Sequence, residues 1–576
     1  MCGIAGIYGK QTKVRHTDLA AMGKSLAHRG PDGEGIWTDE EHNIGFLHRR
    51  LSIIDLSENG KQPMHYAGRY TITFNGEIYN YIELKQRLLG KGYSFYSTSD
   101  TEVLLALYAE KGKNCLYDLD GMFAFAIWDN QEKELFLARD RFGEKPLYYA
   151  FIDGAFCFAS EIKALFVIGA SRATNPDRIY KYLESNVFID EEDTSTTFYS
   201  QIRQLDAADY MVVKDAAIRS VTKYWTLDKV TVDHTIGIED AAVRFRELLT
   251  GSIRRRLRSD VPVGSSLSGG IDSSAIVLIA NALKEKDQVQ NTFSARFRNF
   301  KKDEGGFIDM VVGQRPNISP HNVYPDSDRL IEELEKLAYH QEEPFYSGSQ
   351  YNQYCVMRLA KEHNTTVLLD GQGADEQLGG YLHYYHHHLT HLITANLPEF
   401  LKERREYQKI HQTLQPYRIP RRLPLWYLEK QLLNKAYRYD KDARSLLLKD
   451  TTATGLKTLL RYGDKNSMAF SREVRLPFLS HELTEFIFSL PMNYILRKGW
   501  TKYILREAVK EIVPEAITWR KDKIGYEPPQ ENWLSRLKPI IDGYKSKTNY
   551  LDLTEGRKVT EIVDWKWLML KLFAQQ

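Results

Sequence analysis

The stretch from Val261 to Leu283 constrains the fold most. Val261-Pro262-Val263-Gly264-Ser265-Ser266-Leu267 has the short apolar character of a buried strand. Ser268-Gly269-Gly270-Ile271-Asp272-Ser273-Ser274 follows, and then an apolar helical run from Ala275 to Leu283. Strand, Gly/Ser loop and helix start together form an anion site. Backbone N–H groups and hydroxyls converge there, and the helix dipole favours negative charge. Asp272 would repel phosphate in such a loop unless a bridging Mg²⁺ stood between them, since that hard cation binds carboxylate and phosphate oxygens alike. The loop is not a Walker A sequence, because no G-x-x-x-x-G-K-[ST] is present.

Further runs, Thr292 to Phe297 and Val367 to Leu369, alternate with helical stretches, as in a parallel, doubly wound α/β sheet. Ligands of such sheets bind at the carboxyl ends of the strands. The second run leads into Asp370-Gly371-Gln372-Gly373-Ala374-Asp375-Glu376. This reads either as a tight turn capping a helix or as a loop offering Asp375 as a second metal-binding carboxylate opposite Asp272.

The N-terminal third has a different texture. Ile4 to Tyr8, Ile44 to Leu47, Tyr70 to Phe74, Phe123 to Trp128, Leu135 to Ala138, Leu147 to Phe151 and Ala155 to Ala159 are strand-like, bounded by Gly, Asp or Asn. Tyr81 to Leu89 and Thr101 to Glu110 read as helices, the second with Ser99-Asp100 as its cap. The expectation is an α+β layered domain. Its most chemical residue is Cys2. Once Met1 is removed, this residue holds a thiol and a free α-amine together, a nucleophile and its own base. Polar loops accompany it: His28 to Gly33, His48 to Ile53, Asn75-Gly76-Glu77 closing the Tyr70–Phe74 strand, and Ser99 to Glu102. Each also reads as an ordinary turn, cap or solvated face. As a set they supply oxyanion donors, a guanidinium for a carboxylate and carboxylates for an ammonium.

These residues resemble the class II glutamine amidotransferase domain, an N-terminal-nucleophile (αββα) hydrolase, in its Cys-Gly-Ile start, HRGPD loop, R-L-S-I strand, N-G-E turn and S-D-x-E helix start. The resemblance implies Cys2 as nucleophile and Asn75 with Gly76 as the oxyanion hole. It implies Arg50 (rather than neighbouring Arg49) for the glutamine carboxylate, Glu77 and Asp100 for its amine, and backbone contacts from Leu51 and Ile53. In the second half, SGGIDSS resembles the loop of the ATP pyrophosphatases. Asp464 to Ala469, Glu473 to Leu479, Lys502 to Ala508 and Arg520 to Tyr526 are similar to runs of glutamine-hydrolysing asparagine synthetases.

That resemblance implies an ATP site of Leu267, Ser268, Gly269, Gly270, Asp272, Ser273, Ser274, Ala295, Asp370 and Gly371. It further implies Mg²⁺ on Asp272 and Asp375, and Lys523 placed on departing pyrophosphate. The implied organisation is a glutaminase domain over 2–210, a linker over 211–240, and an ATP-pyrophosphatase domain with a helical C-terminal part over 241–576. The implied reaction converts aspartate to asparagine through an acyl-AMP, with a sheltered ammonia passage between sites. A different carboxylate acceptor stays open as an alternative, as does a non-catalytic scaffold. The resemblance is compatible with a homodimer. Three departures bear on the acceptor. Asp370 and Gln372 replace the family's serine and aspartate, Ser480 replaces an aspartate, and Leu205 to Tyr210 replaces an L-P-P-G-H turn.

Composition narrows the class. Net charge of +2 over 576 residues gives no electrostatic case for nucleic acid or membrane. Four scattered cysteines suggest neither a disulfide framework nor a zinc knuckle. With no signal sequence or long apolar run, the expected location is cytoplasmic. Arg254, Arg255, Arg256 and Arg258 read as an exposed helix face, and His383, His386, His387 and His388 as a solvated one rather than a zinc site.

Overall fold

The first 223 residues build twelve strands, the central ones buried along nearly their whole length on both faces. They are β1 (Gly3–Gly9), β2 (Gly33–Asp39), β3 (Ile44–Arg50), β4 (Met64–Tyr66), β5 (Tyr70–Ile78), β6 (Gly121–Asp129), β7 (Glu134–Arg139), β8 (Tyr148–Ile152), β9 (Ala155–Ala159), β10 (Arg203–Gln204), β11 (Asp209–Lys214) and β12 (Ala217–Lys223). The computed structural model describes residues 1–285, 288–411, 442–521 and 527–575. The strands form two six-stranded sheets, ordered β10-β8-β9-β1-β3-β2 and β12-β11-β7-β6-β5-β4. One face of each sheet packs on the other through Ile4, Phe46 and Phe158 from the first and Ala126, Trp128 and Leu137 from the second. Helices cover the outer faces: His16–Ser25 lies on β3 and Asp100–Lys111 on β5. The result is four layers, helix–sheet–sheet–helix. The second sheet takes in β12 and most of β11, so it extends into the stretch expected as a linker.

Asn75-Gly76-Glu77 is not a turn. β5 continues through it, with Asn75 opposite Ala124 and Gly76 opposite Phe123 on β6. Pairing along the full length of β6 overrides the local Asn-Gly preference for a hairpin turn.

The second half carries a five-stranded, wholly parallel sheet of β13 (Val263–Ser266), β14 (Gln290–Ala295), β15 (Ile318–Val323), β16 (Val367–Leu369) and β17 (Glu473–Arg475), ordered β15-β14-β13-β16-β17. From β13 the chain winds outward to β15, then returns to the other side of β13 as β16. Strand order therefore reverses between β13 and β16, the switch point where ligands of such sheets bind. The helix after β13, Ile271–Leu283, is buried along almost its whole length, matching the mostly apolar run from Ala275 to Leu283. Helices dominate the remainder, through Asp564–Phe573. No described helix is long and apolar enough to cross a membrane.

In the arginine cluster Arg254 is exposed as expected, but Arg255, Arg256 and Arg258 join the halves instead of facing solvent. Arg255 pairs with Asp120 at 2.6 Å, Arg258 with Glu83 at 2.6 Å, and Arg256 is 1% exposed. The histidine cluster is only partly a solvated face: His383 is exposed, His386 and His387 are half-buried. His388 is buried, His386 meets the Tyr407 hydroxyl at 3.0 Å, and no group of three or more His, Cys, Asp or Glu placed to hold a metal ion occurs among the described residues.

Candidate functional site

Two sites are built at the junction of the halves. The first centres on Cys2 at the start of β1. In this chain Met1 is present, so the Cys2 nitrogen is a peptide amide. It donates to Asn75 Oδ1 at 2.8 Å, which fixes the Asn75 amide beside the nucleophile. Asn75 Nδ2 is buried and has no hydrogen-bond partner. An orphan donor costs free energy unless a ligand meets it, so this atom marks a place where an oxygen is expected. Gly76 sits beside it at φ +154°, and a Cβ there would fall 2.1 Å from the Met122 carbonyl oxygen. Only glycine fits. The Cys2 thiol points at the Leu51 carbonyl, 3.9 Å away, and burial pushes its pKa up while the Met1 ammonium opposes that.

The other residues expected to hold glutamine gather around this point. Arg50 is anchored by the carbonyls of Ser57, at 2.9 Å, and Asp55. A guanidinium has five N–H donors, so its fork keeps others for a carboxylate. Glu77 is 4% exposed and its Oε2 has no partner. Burial, with Asp100 and Glu473 close by, drives its pKa well above the carboxylate range. Asp100 accepts from the Ile78 N–H at 2.9 Å, and burial raises it to about 6 against that hydrogen bond, with Glu473 adding to the rise. Two carboxyls held this close in a dry pocket are short of positive charge, which a substrate ammonium would supply. Leu51 and Ile53 are buried, and the Ile53 carbonyl accepts the Asp260 N–H at 3.0 Å, a contact to the second half.

The second half builds one wall of this site. Glu473 on β17 binds the Met1 ammonium at 2.8 Å, and Arg475 on the same strand lies 3.5 Å from Glu77. Strand alternation puts both side chains on one face. The backbone of β17 serves the other site, since the Arg475 carbonyl accepts the Asp370 N–H at 3.0 Å.

That other site lies at the switch point. A cavity of about 980 Å³ is lined by Ser266 at the end of β13, by Ser268, Asp272 and Ser273 after it, and by Asp370, Gly371, Asp375 and Glu376 after β16. The two loops touch: a Cβ on Gly371 would lie 3.1 Å from the Asp272 Cβ. Gly269 takes φ +79°, and Ser268 and Ser273 share a hydroxyl contact at 3.1 Å that shapes the loop. Gly270 caps the helix, its carbonyl accepting the Ser274 N–H at 3.0 Å, and Ser274 itself is fully buried. Leu267 and Ala295 stand at the ends of β13 and β14, with the Leu267 carbonyl fixed by the Ser294 hydroxyl at 2.6 Å. Asp370 is half-buried, desolvation raises its pKa, and its Oδ1 accepts the Gln372 N–H at 3.0 Å. Lys523 lies outside the described residues.

Sequence reasoning left Lys502 without a role. Its ammonium lies between the two carboxylates proposed for metal, 2.5 Å from Asp272 and 2.6 Å from Asp375. Asp272 Oδ1 stays buried without a partner. A cation therefore suits this position, and the residues fit Mg²⁺ as well as an ammonium. Lys502 stands within the TKYILREA run, but its partners are 230 and 127 residues away, so no local pattern reveals them.

Comparison with known proteins gives a match to the glutamine amidotransferase domain over residues 1–225 and to asparagine synthase over residues 244–564. The chain is 34% identical to asparagine synthetase [glutamine-hydrolyzing] 1 of Bacillus subtilis, over 96% of this chain and 93% of that protein. It is 32% identical to asparagine synthetase [glutamine-hydrolyzing] 3 of the same organism, over 90% and 86% of the two chains. It is also 28% identical to amidase chry2 of Gibberella zeae, over 88% and 84%.

Proposed function

Because this chain belongs to the glutamine-hydrolysing asparagine synthetase family, we propose that it takes nitrogen from glutamine at Cys2 and installs it on an ATP-activated carboxylate at the switch-point cavity. Membership makes it a glutamine-dependent, ATP-using amidotransferase. The observation that carries the two-site reading is the shared wall: the pocket of Cys2 and the unpartnered Asn75 Nδ2 is closed by Glu473 and Arg475 of the strand that also holds Asp370.

In this reading Met1 is removed, and the freed Cys2 amine takes the thiol proton. The thiolate attacks the glutamine side-chain carbonyl. Asn75 Nδ2 and the Gly76 N–H receive the oxyanion, Arg50 holds the carboxylate, and Glu77 with Asp100 holds the ammonium. Ammonia leaves, and water hydrolyses the thioester to glutamate. At the cavity, the serines and N–H groups of the Ser268–Ser274 loop cradle phosphate. Mg²⁺, held by Asp272 and Asp375, would neutralise phosphate charge. The acceptor carboxylate attacks the α-phosphorus, giving acyl-AMP and pyrophosphate, and ammonia then displaces AMP. A passage shielded from water keeps ammonia unprotonated, and the buried side chains of Tyr79 and Met122 from the first half and Met468 from the second, which cluster together, would stay to shield it once Met1 is gone.

Aspartate is the acceptor the family's name implies. Pyrophosphate release with glutamine and ATP, measured across aspartate and a panel of other carboxylic acids, tests this. Release with a different acid alone reassigns the substrate, and release with none favours a scaffold.

Asn75→Ala is expected to lower glutaminase kcat by about 10²–10³, the usual cost of one oxyanion donor, with the glutamine KM moving far less. Unchanged kcat in steady-state glutamate release would remove Asn75 from the oxyanion hole. A pH dependence follows from Asp100. Burial pushes its pKa up to about 6, above the ordinary carboxylate range, so the carboxyl becomes a competent ammonium ligand only as pH rises through about 6. The glutamine KM is expected to climb below that pH, and Asp100→Asn should raise KM and flatten its pH profile.

A further inference from the structure

Two sequence runs have no task in the reaction just described: the arginine of His28-Arg29-Gly30-Pro31-Asp32, and the aspartate that opens Asp464 to Ala469. They are each other's partner. Arg29 is fully buried in the loop after the helix His16–Ser25, and Asp464 is 5% exposed in the last turn of the helix Gly455–Met468. Arg29 donates from Nη1 to Asp464 Oδ2 at 2.8 Å and from Nη2 to Oδ1 at 3.1 Å, a bidentate fork across the junction. Nη1 also donates to Glu161 at 2.8 Å. Its remaining edge, Nε, donates to the carbonyl oxygen of Cys2 at 3.0 Å. The backbone of the nucleophile is thus held from the other half of the protein, through one guanidinium.

The charges are firmly ionised. Burial works against Asp464, yet Arg29 and Lys145 (3.6 Å away) outweigh it and hold its carboxyl below the ordinary range. Arg29 likewise stays cationic despite burial, because Asp464 and Glu161 face it. The helix that presents Asp464 is anchored just beyond it. Lys465 pairs with Glu342, and Asn466 binds Gln341 at 2.8 Å and Gln353 at 2.9 Å. Earlier turns of the same helix line the cavity through Gly455, Thr458, Leu459 and Tyr462. Fourteen residues at 1.5 Å each span about 21 Å, so one rigid element runs from the activating cavity to the clamp.

We infer that Arg29 and Asp464 are positioning residues for the glutaminase step: the synthetase half sets the attack geometry of Cys2 through this pair. The inference rests on the reading of Cys2 as nucleophile. It separates the clamp from other contacts across the junction, which hold the halves together without touching Cys2.

The test uses the full chain and three variants. Asp464→Asn keeps the shape but loses the anion. Arg29→Lys keeps the charge but not the planar fork that serves Asp464 and the Cys2 carbonyl together. Glu83→Gln breaks the exposed pair with Arg258, a junction contact remote from Cys2. Glutamate release gives kcat and KM for glutamine, and calorimetry gives MgATP affinity. Asp464→Asn and Arg29→Lys are expected to lose on the order of 10²-fold in kcat, the scale of a misplaced reacting group. Glutamine KM should stay within about threefold and MgATP affinity within about twofold of native, with Glu83→Gln kinetically native. Native kcat in Asp464→Asn overturns the inference. So does joint collapse of kcat, KM and MgATP affinity in both clamp variants, which marks a purely structural pair, or an equal kcat loss in Glu83→Gln. A native chain that releases no glutamate overturns the nucleophile reading itself, and this inference with it.

Discussion

Cys2→Ala is expected to stop glutamine hydrolysis while leaving ammonia-dependent amide formation at its native rate. Deleting the nucleophile of an acyl-transfer enzyme costs on the order of 10⁶ in kcat, far more than losing any single supporting donor. The change is small in volume, and the Cys2 N–H, which donates to Asn75, is retained. The fold should therefore stand, and the ammonia route reports that directly. Two measurements decide the matter: glutamate release from glutamine, and pyrophosphate release with ammonium chloride, ATP and the acceptor. Retained glutaminase removes Cys2 from the mechanism. Loss of both activities points to a disturbed junction, since Cys2 and Met1 abut Asn75, Arg29 and Glu473. The same logic applies to Met1. As long as it remains, the Cys2 nitrogen is an amide without basicity. Intact-mass measurement of active protein is expected to show a chain beginning at Cys2.

Replacing Asp272 or Asp375 by asparagine is expected to give the mirror image: no pyrophosphate, with glutaminase intact. Both carboxylates face one cation, Lys502, inside the cavity, and both are proposed to hold Mg²⁺ against the triphosphate. Losing electrostatic stabilisation of this kind costs at least about 10²–10³ in rate. Each single variant leaves Lys502 one counter-charge, so the buried ammonium stays paired. The double variant strands it, and breaking a buried pair in that way costs about 3–5 kcal/mol. The double variant should therefore melt at a visibly lower temperature while the single ones stay near native. Pyrophosphate release at native rate from either single variant would dismiss the metal assignment for that residue. A single variant as unstable as the double would show that the pair serves the fold more than the chemistry.

Much of this could be read from residues alone, for identifiable reasons. The strand–loop–helix at Val263–Leu283 was legible because a mostly apolar helix after a Gly/Ser loop has few other uses. The short apolar or alternating runs from Ile4 to Ala159 were legible as strands because Gly, Asp or Asn turn residues bound each of them. Asn75-Gly76 misled because local turn preference is strong there, and only the long partner strand β6 overrules it. β11 and β12 were read as linker because β12 exposes most of its residues, so little apolar alternation marks it. The arginine run after Arg254 looked like a solvated face because its partners, Asp120 and Glu83, lie far away in sequence. Lys502 and the Arg29–Asp464 fork escaped for the same reason. Their meaning lies in pairings hundreds of residues apart, on which local periodicity carries no information.

β17 is three residues long, and its geometry limits how this chain can drift. Its side chains close one pocket while its backbone braces the loop of another. Successive residues of a strand face opposite ways, so inserting or deleting a single residue there would turn Glu473 and Arg475 away from the glutamine pocket and misregister Asp370 in the same stroke. Substitution can tune either chemistry separately, but length cannot vary. Lineages descended from such a chain are expected to show a gap-free spacing across this strand, even where the acceptor they modify has changed.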